Sequence, residues 1–105
     1  MATVYTKRFA LIALAAGATS SVTVPAGKVW ILRDVTAGVF PGAAAGYVYL
    51  EVAGTAVAVQ PVPGGAVMTW HWSGYLGARA GELLVVHNLA TGAMGGAITG
   101  YEFDA

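Results

Sequence analysis

The stretch SVTVPAGKVWILRDV, residues 21–35, decides the fold. Two runs rich in valine, isoleucine and aromatic residues flank Pro25-Ala26-Gly27, where proline presets one backbone angle and glycine relaxes the other, so the triplet reads as a turn between strands. The same grammar repeats outward in both directions. Strand runs are read at 20–24 and 28–40, then at 47–52 after the small-residue loop 41–46, and at 56–60 after the Gly54 turn. Beyond Pro61–Gly65 they continue at 66–73, 82–89 and 97–103, and Val4–Phe9 alternates like a strand entering a sheet. About eight short strands at spacings of about 8–12 residues predict an all-β fold, a single-domain antiparallel β-sandwich over residues 1–105. The alanine-rich pieces suggest helix, but Gly17, Gly42 and Gly46 interrupt them.

Composition bounds the function. The 105 residues are 57% hydrophobic and 10% charged, with five basic and five acidic side chains, no net charge and no cysteine. A chain of this size exposes roughly 5,500 Å², which leaves about one charge per 550 Å², far below the about 25% charged content of ordinary soluble chains. Such a surface favours association over a free monomer. Five scattered basic residues give no footprint for nucleic acid, and the absence of cysteine removes disulfides and thiolate chemistry. Residues 1–20 imitate a secretory leader, yet the apolar run FALIALAA is short for one and far too short to span a bilayer. The expected reading is a structural strand, with no cleaved signal and no membrane span.

Alternation assigns faces. In 47–52, Val48, Leu50 and Val52 point one way and Tyr47, Tyr49 and Glu51 the other; in 66–73, Met68, Trp70 and Trp72 share a face. The strands at 28–35 and 82–89 are apolar on both faces, which calls for a second cover, and subunit contact is the simplest. Tyr47, Tyr49, Leu84 and Val86 are therefore the expected interface residues. Trp70, Trp72 and Tyr75 are candidate glycan contacts, since aromatic faces suit sugars, although Trp70 and Trp72 beside Met68 fit a core face better. Arg33 and Asp34, being adjacent in one strand, are expected on opposite faces.

Little points to catalysis. His71 and His87 stand on separate strands without a short-spaced ligand pair, so no metal site or other cofactor is expected. Ser20, Ser21 and Ser73 lie in no nucleophile motif, and the glycine-rich turns lack the lysine of a phosphate loop.

The segments MATVYTKR, SVTVPAGKVWILRDV, ARAGELLVV and ITGYEF resemble those of small β-sandwich virion proteins of tailed bacteriophages, in which a V-P-A-G turn leads into a K-x-x-x-L-R-D-[VI] strand. The resemblance implies a jelly-roll-like, non-enzymatic structural component of the particle, in capsid decoration or in the tail. It implies assembly in the host cytoplasm, with copies of itself as a trimer or higher ring and with other virion proteins. The alternative expectation is a carbohydrate- or receptor-binding module at a tail tip.

Overall fold

The computed structural model describes residues 4–105, with side chains from Lys7 onward. Eight strands account for most of it: β1 (Val4–Leu14), β2 (Thr19–Thr23), β3 (Lys28–Val39), β4 (Gly46–Val52), β5 (Thr55–Val62), β6 (Met68–Arg79), β7 (Leu83–Asn88) and β8 (Met94–Asp104). One sheet has the order β1-β8-β3-β6 and the other β2-β7-β4-β5, and every neighbouring pair is antiparallel.

The topology is one long hairpin rolled up. Strand β4 pairs with β5 across a two-residue turn, β3 with β6, β2 with β7 and β1 with β8, and successive pairs alternate between the two sheets. Contacts of β8 with β3 and of β7 with β4 close the roll. This winding is a jelly roll, and it confirms the all-β sandwich and the eight strands. The expected N-terminal strand is longer than its alternating start, because FALIALAA continues along β8 until Leu14 meets Met94. Likewise β6 runs through Gly74–Arg79 beside β3.

The core lies between the sheets. Trp30, Leu32, Val35 and Val39 of β3, with Trp70 of β6 and Ile98 of β8, face Val48 and Leu50 of β4 and the inward side of β7. Strand β7 corrects an expectation. Leu84 and Val86 are only 1% and 3% exposed, so they belong to the core and offer no surface to a neighbour. Their outward counterparts are Leu83 and the half-buried Val85. On β3, Val29 and Ile31 are half-buried, in register with Phe103 and Tyr101 of the same sheet, so that face is partly covered from within the chain.

The sandwich measures 51 × 21 × 18 Å, and its two ends differ in kind. Turns β2–β3, β4–β5 and β6–β7 lie at one end, and the loops β1–β2, β3–β4, β5–β6 and β7–β8 at the other. All ten charged side chains lie at or on the first side of the level where Arg8 and Asp34 face Thr99. Residues 10–20, 35–50, 58–72 and 86–98, which build the other half, include none. The charged end is tied by Lys7 Nζ donating to Glu102 at 2.8 Å, by the Trp30 indole donating to the same oxygen at 2.9 Å, and by Lys28 pairing with Asp104. The charge-free end is tied by neutral groups. Buried Asn88 donates to the carbonyls of Ala15 (3.2 Å) and Gly92 (2.9 Å) and accepts from the Ala90 amide (3.1 Å), clipping two loops together. There the loops meet backbone to backbone: a Cβ on Gly92 would stand 2.0 Å from the Phe40 carbonyl oxygen. This crowding explains glycine at positions 42, 46, 64 and 92.

Candidate functional site

Period-two alternation fails at one level of the β1-β8-β3-β6 sheet. Register shifts between Arg8 and Ala10 on β1, and between Leu32 and Asp34 on β3 against both of its neighbours. On β6, Gly74 and Tyr75 occupy the gap opposite Arg33. Bulges aligned across a sheet bend it and re-aim side chains, and they recur beside functional sites.

Here they place Arg33 and Asp34 on one depression, which Thr99, Gly100 and Tyr101 of β8 complete. The expectation that Arg33 and Asp34 point to opposite faces is thus corrected, because the bulge removes the alternation on which it rests. The Arg33 guanidinium donates to the Gly74 carbonyl at 2.6 Å and stacks 3.9 Å from the centre of the Tyr75 ring. Tyr75 is 76% exposed. Asp34 Oδ1 is 3.4 Å from His71 Nε2 on β6. The depression thus offers a donor fork, a carboxylate, two hydroxyls and a neighbouring aromatic ring. Its volume is about 110 Å³, against the about 300–1,000 Å³ of pockets that engulf a ligand. A hollow of that size has room for the edge of a molecule and not for a whole ligand.

The other sheet presents a different surface. On the outward face of β4 and β7, Tyr47, Tyr49 and His87 stack in a row, with ring centroids 5.9 Å and 4.2 Å apart. Glu51 Oε1 lies 3.2 Å from His87 Nε2, a buried atom that makes no hydrogen bond. Burial foremost, then the charge of Glu51 and the neighbouring Tyr47, raises the Tyr49 hydroxyl above its ordinary pKa.

The sequence candidates therefore separate. Tyr47 and Tyr49 lie on the outward sheet face, and Tyr75 borders the depression. Trp70 is buried and Trp72 packs against the core, which leaves Trp70 no face for a glycan. Sequence reading missed Arg33, Asp34, Thr99 and Tyr101 as a group. A signal exists in the apolar phase: Trp30 and Leu32 step by two, and the next core residue, Val35, follows by three.

No family model matches the sequence, and no curated protein does. Solved structures match the fold. A carbohydrate-binding module CBM36 in complex with calcium and xylotriose is similar with a TM-score of 0.51 and 14% identity, over 92% of this chain and 87% of that one. The CBM36-1 domain of a multidomain xylanase from the hindgut metagenome of Trinervitermes trinervoides gives 0.50 and 10%, over 100% and 98%. A structure described as Bacillus endospore appendages forming disulfide-linked pili gives 0.51 and 14%, over 99% and 90%. The Agl-KA catalytic domain also matches, at 0.51 and 14%, but this chain spans only 21% of it. At such identities the likeness shows the β-sandwich fold.

Proposed function

We propose that the chain is a non-catalytic β-sandwich binding module that takes the edge of a glycan at the bulge depression. The observation that carries this reading is the aligned bulge, which brings Arg33, Asp34, Thr99 and Tyr101 to one small hollow beside the exposed ring of Tyr75. A sugar edge presents neighbouring hydroxyls, each donor and acceptor. The Asp34 carboxylate accepts from them, the Arg33 fork donates to them, and Tyr75 offers an apolar ring to the C–H face. Carbohydrate-binding modules share this fold, which supports the reading. The binding invoked here rests on side-chain hydrogen bonds and ring stacking alone.

The test is affinity electrophoresis in gels containing soluble xylan, β-glucan or α-glucan. Retardation by at least one of them is expected, with Tyr75→Ala and Asp34→Ala each weakening it about tenfold, equivalent to about 1.4 kcal/mol. Both positions lie on the sheet surface, so unchanged circular dichroism separates lost binding from lost folding. Migration unaffected by every glycan, or retardation that survives both substitutions, overturns the proposal.

A second reading, a structural component of a phage virion assembled in the host cytoplasm, is favoured by the shortage of surface charge on a chain of zero net charge. Mass spectrometry of purified particles checks it: stoichiometric presence of the chain supports the reading, and its absence sinks it.

A further inference from the structure

We infer that the charge-free half of the sandwich is a self-association surface, through which copies of this chain stand side by side with long axes parallel and close into a ring. The inference is independent of the glycan reading, whose residues lie at or above the boundary of that half.

Three observations carry it. First, the ten charges are confined to one half, and six of the eight exposed large apolar side chains among the described residues lie in the other. Leu11 is 62%, Val59 58%, Phe40 61% and Val67 68% exposed, with Tyr47 and Leu89 beside them. The tight loop packing explains Gly42, Gly46, Gly64 and Gly92, but it leaves these side chains in solvent. A partner of opposite charge has nothing to hold there, and nucleic acid and anionic lipid both need basic residues, which sit at the far end. A second charge-free half meets it with no buried unpaired charge.

Second, area selects the geometry. End-to-end contact across the 21 × 18 Å cross-section covers about 380 Å² per copy, or about 760 Å² from the two, short of the about 1,000 Å² in total that a specific interface clears. One flank of the charge-free half covers about 450–550 Å² per copy, taken from half the 51 Å length and the 18–21 Å widths, so each flank contact buries about 1,000 Å² in total and reaches that limit. In full overlap an antiparallel arrangement sets the charged half against the apolar one, so copies in full overlap run parallel; a staggered antiparallel pair would stop at a two-fold dimer.

Third, the two flanks differ. Strands β1 and β2 pack together along one edge of the sandwich and β5 and β6 along the other, and each is the outermost strand of its sheet. Leu11 stands on the first edge and Val59 on the second. Two dissimilar apolar edges make a head-to-tail contact, which repeats from copy to copy and makes a ring when the rotation between copies closes. Exposed edge strands lend themselves to such pairing.

The experiment uses the full chain in light scattering and analytical ultracentrifugation from about 1 to 100 μM. Association beyond a dimer is expected. Leu11→Lys and Val59→Lys each place a charge at an exposed site and are expected to leave circular dichroism unchanged while reducing the oligomer to monomer. Thr55→Lys, in the charged half, is expected to leave association intact. The deciding arm mixes the two variants. Each retains the edge that the other has lost, so the mixture forms a one-to-one dimer that neither forms alone. A wild-type monomer at 100 μM, a wild-type dimer as end point, an oligomer indifferent to Leu11→Lys and Val59→Lys, or a mixture that stays monomeric overturns the inference.

Discussion

The two ends of the sandwich are held together by opposite kinds of interaction. At the charged end, Glu102 is buried, and its carboxylate is satisfied by the Lys7 ammonium and the Trp30 indole, while Lys28 reaches Asp104 at the end of β8. At the other end the same task falls to one neutral amide, Asn88, and to glycine loops close enough to bond through their backbones, as when Gly65 donates to Gly42 at 2.7 Å. The first arrangement depends on protonation and salt. The second depends on space. The difference teaches that the low charge of this chain is a property of one half, and that this half has its own means of staying folded without charge.

Several substitutions can break that comparison. The largest expected effect is Asn88→Ala, which leaves the buried Gly92 carbonyl and Ala90 amide, and the part-buried Ala15 carbonyl, without their partner. A loss of about 2–3 kcal/mol is expected, read as a fall of roughly 10 °C or more in Tm. A loss below about 1 kcal/mol would assign the end to loop interlock alone. Gly92→Ala tests that interlock directly, since the added Cβ collides with the Phe40 carbonyl. About 1–3 kcal/mol of destabilisation is expected, and a neutral result would show that the loops yield.

Acid should act on the other end. Hydrogen bonds from Lys7 first, and then from Trp30, hold the Glu102 carboxyl below the ordinary glutamate range. The unfolded chain therefore takes up this proton before the folded one does. The stabilisation is complete above about pH 4.3, the free glutamate value, and is lost as pH falls through the depressed folded value. Amide exchange on acidification is expected to open the β1–β8–β3 end before the Asn88 end. Glu102→Gln should lower Tm at pH 7 and flatten the dependence of Tm on pH below that value. Opening that begins at Asn88 would reverse the assignment.

Smaller effects sharpen the comparison. The β4–β5 turn holds Ala53 at φ 51° ahead of Gly54 at φ 82°, a pair of left-handed residues in which asparagine is preferred to alanine. Ala53→Asn should add about 0.5–1 kcal/mol, measured by chemical denaturation. Lys28→Ala at the solvent-accessible pair with Asp104 should change stability by less than about 1 kcal/mol. A larger loss would mean that ion pairs at the charged end act as a network.

The strand inventory was legible because glycine and proline punctuate runs of β-branched residues, and the faces of β4 followed from its alternation: Val48, Leu50 and Val52 turn inward, Tyr47 and Glu51 outward. Face assignment failed where a strand is apolar on both sides. Nothing local in Leu83–Val86 says which pair meets the opposite sheet, and the roll turns Leu84 and Val86 inward. The site was less legible still. Arg33 and Asp34 share a depression because β3 gains a residue against β8 while β6 places two residues opposite Arg33, and a single sequence shows a bulge only as a slip in the apolar phase. Residues 28–34, in the first of the two strands expected to need a second cover, lie in the half that keeps the charges, while the exposed apolar residues Leu11, Phe40, Val59 and Val67 come from four separate segments.

By itself, the sequence determined that this protein is an all-β sandwich of about eight strands with little charge, because turn chemistry and β-propensity act over neighbouring residues and composition needs no structure. Only the tertiary structure decided where the charges gather and which side chains share a surface. Winding a hairpin of four strand pairs into two sheets brings Arg8, Asp34 and Thr99 to one level and sends residues far apart in the chain to one end, and those distances are set by register across the sheets.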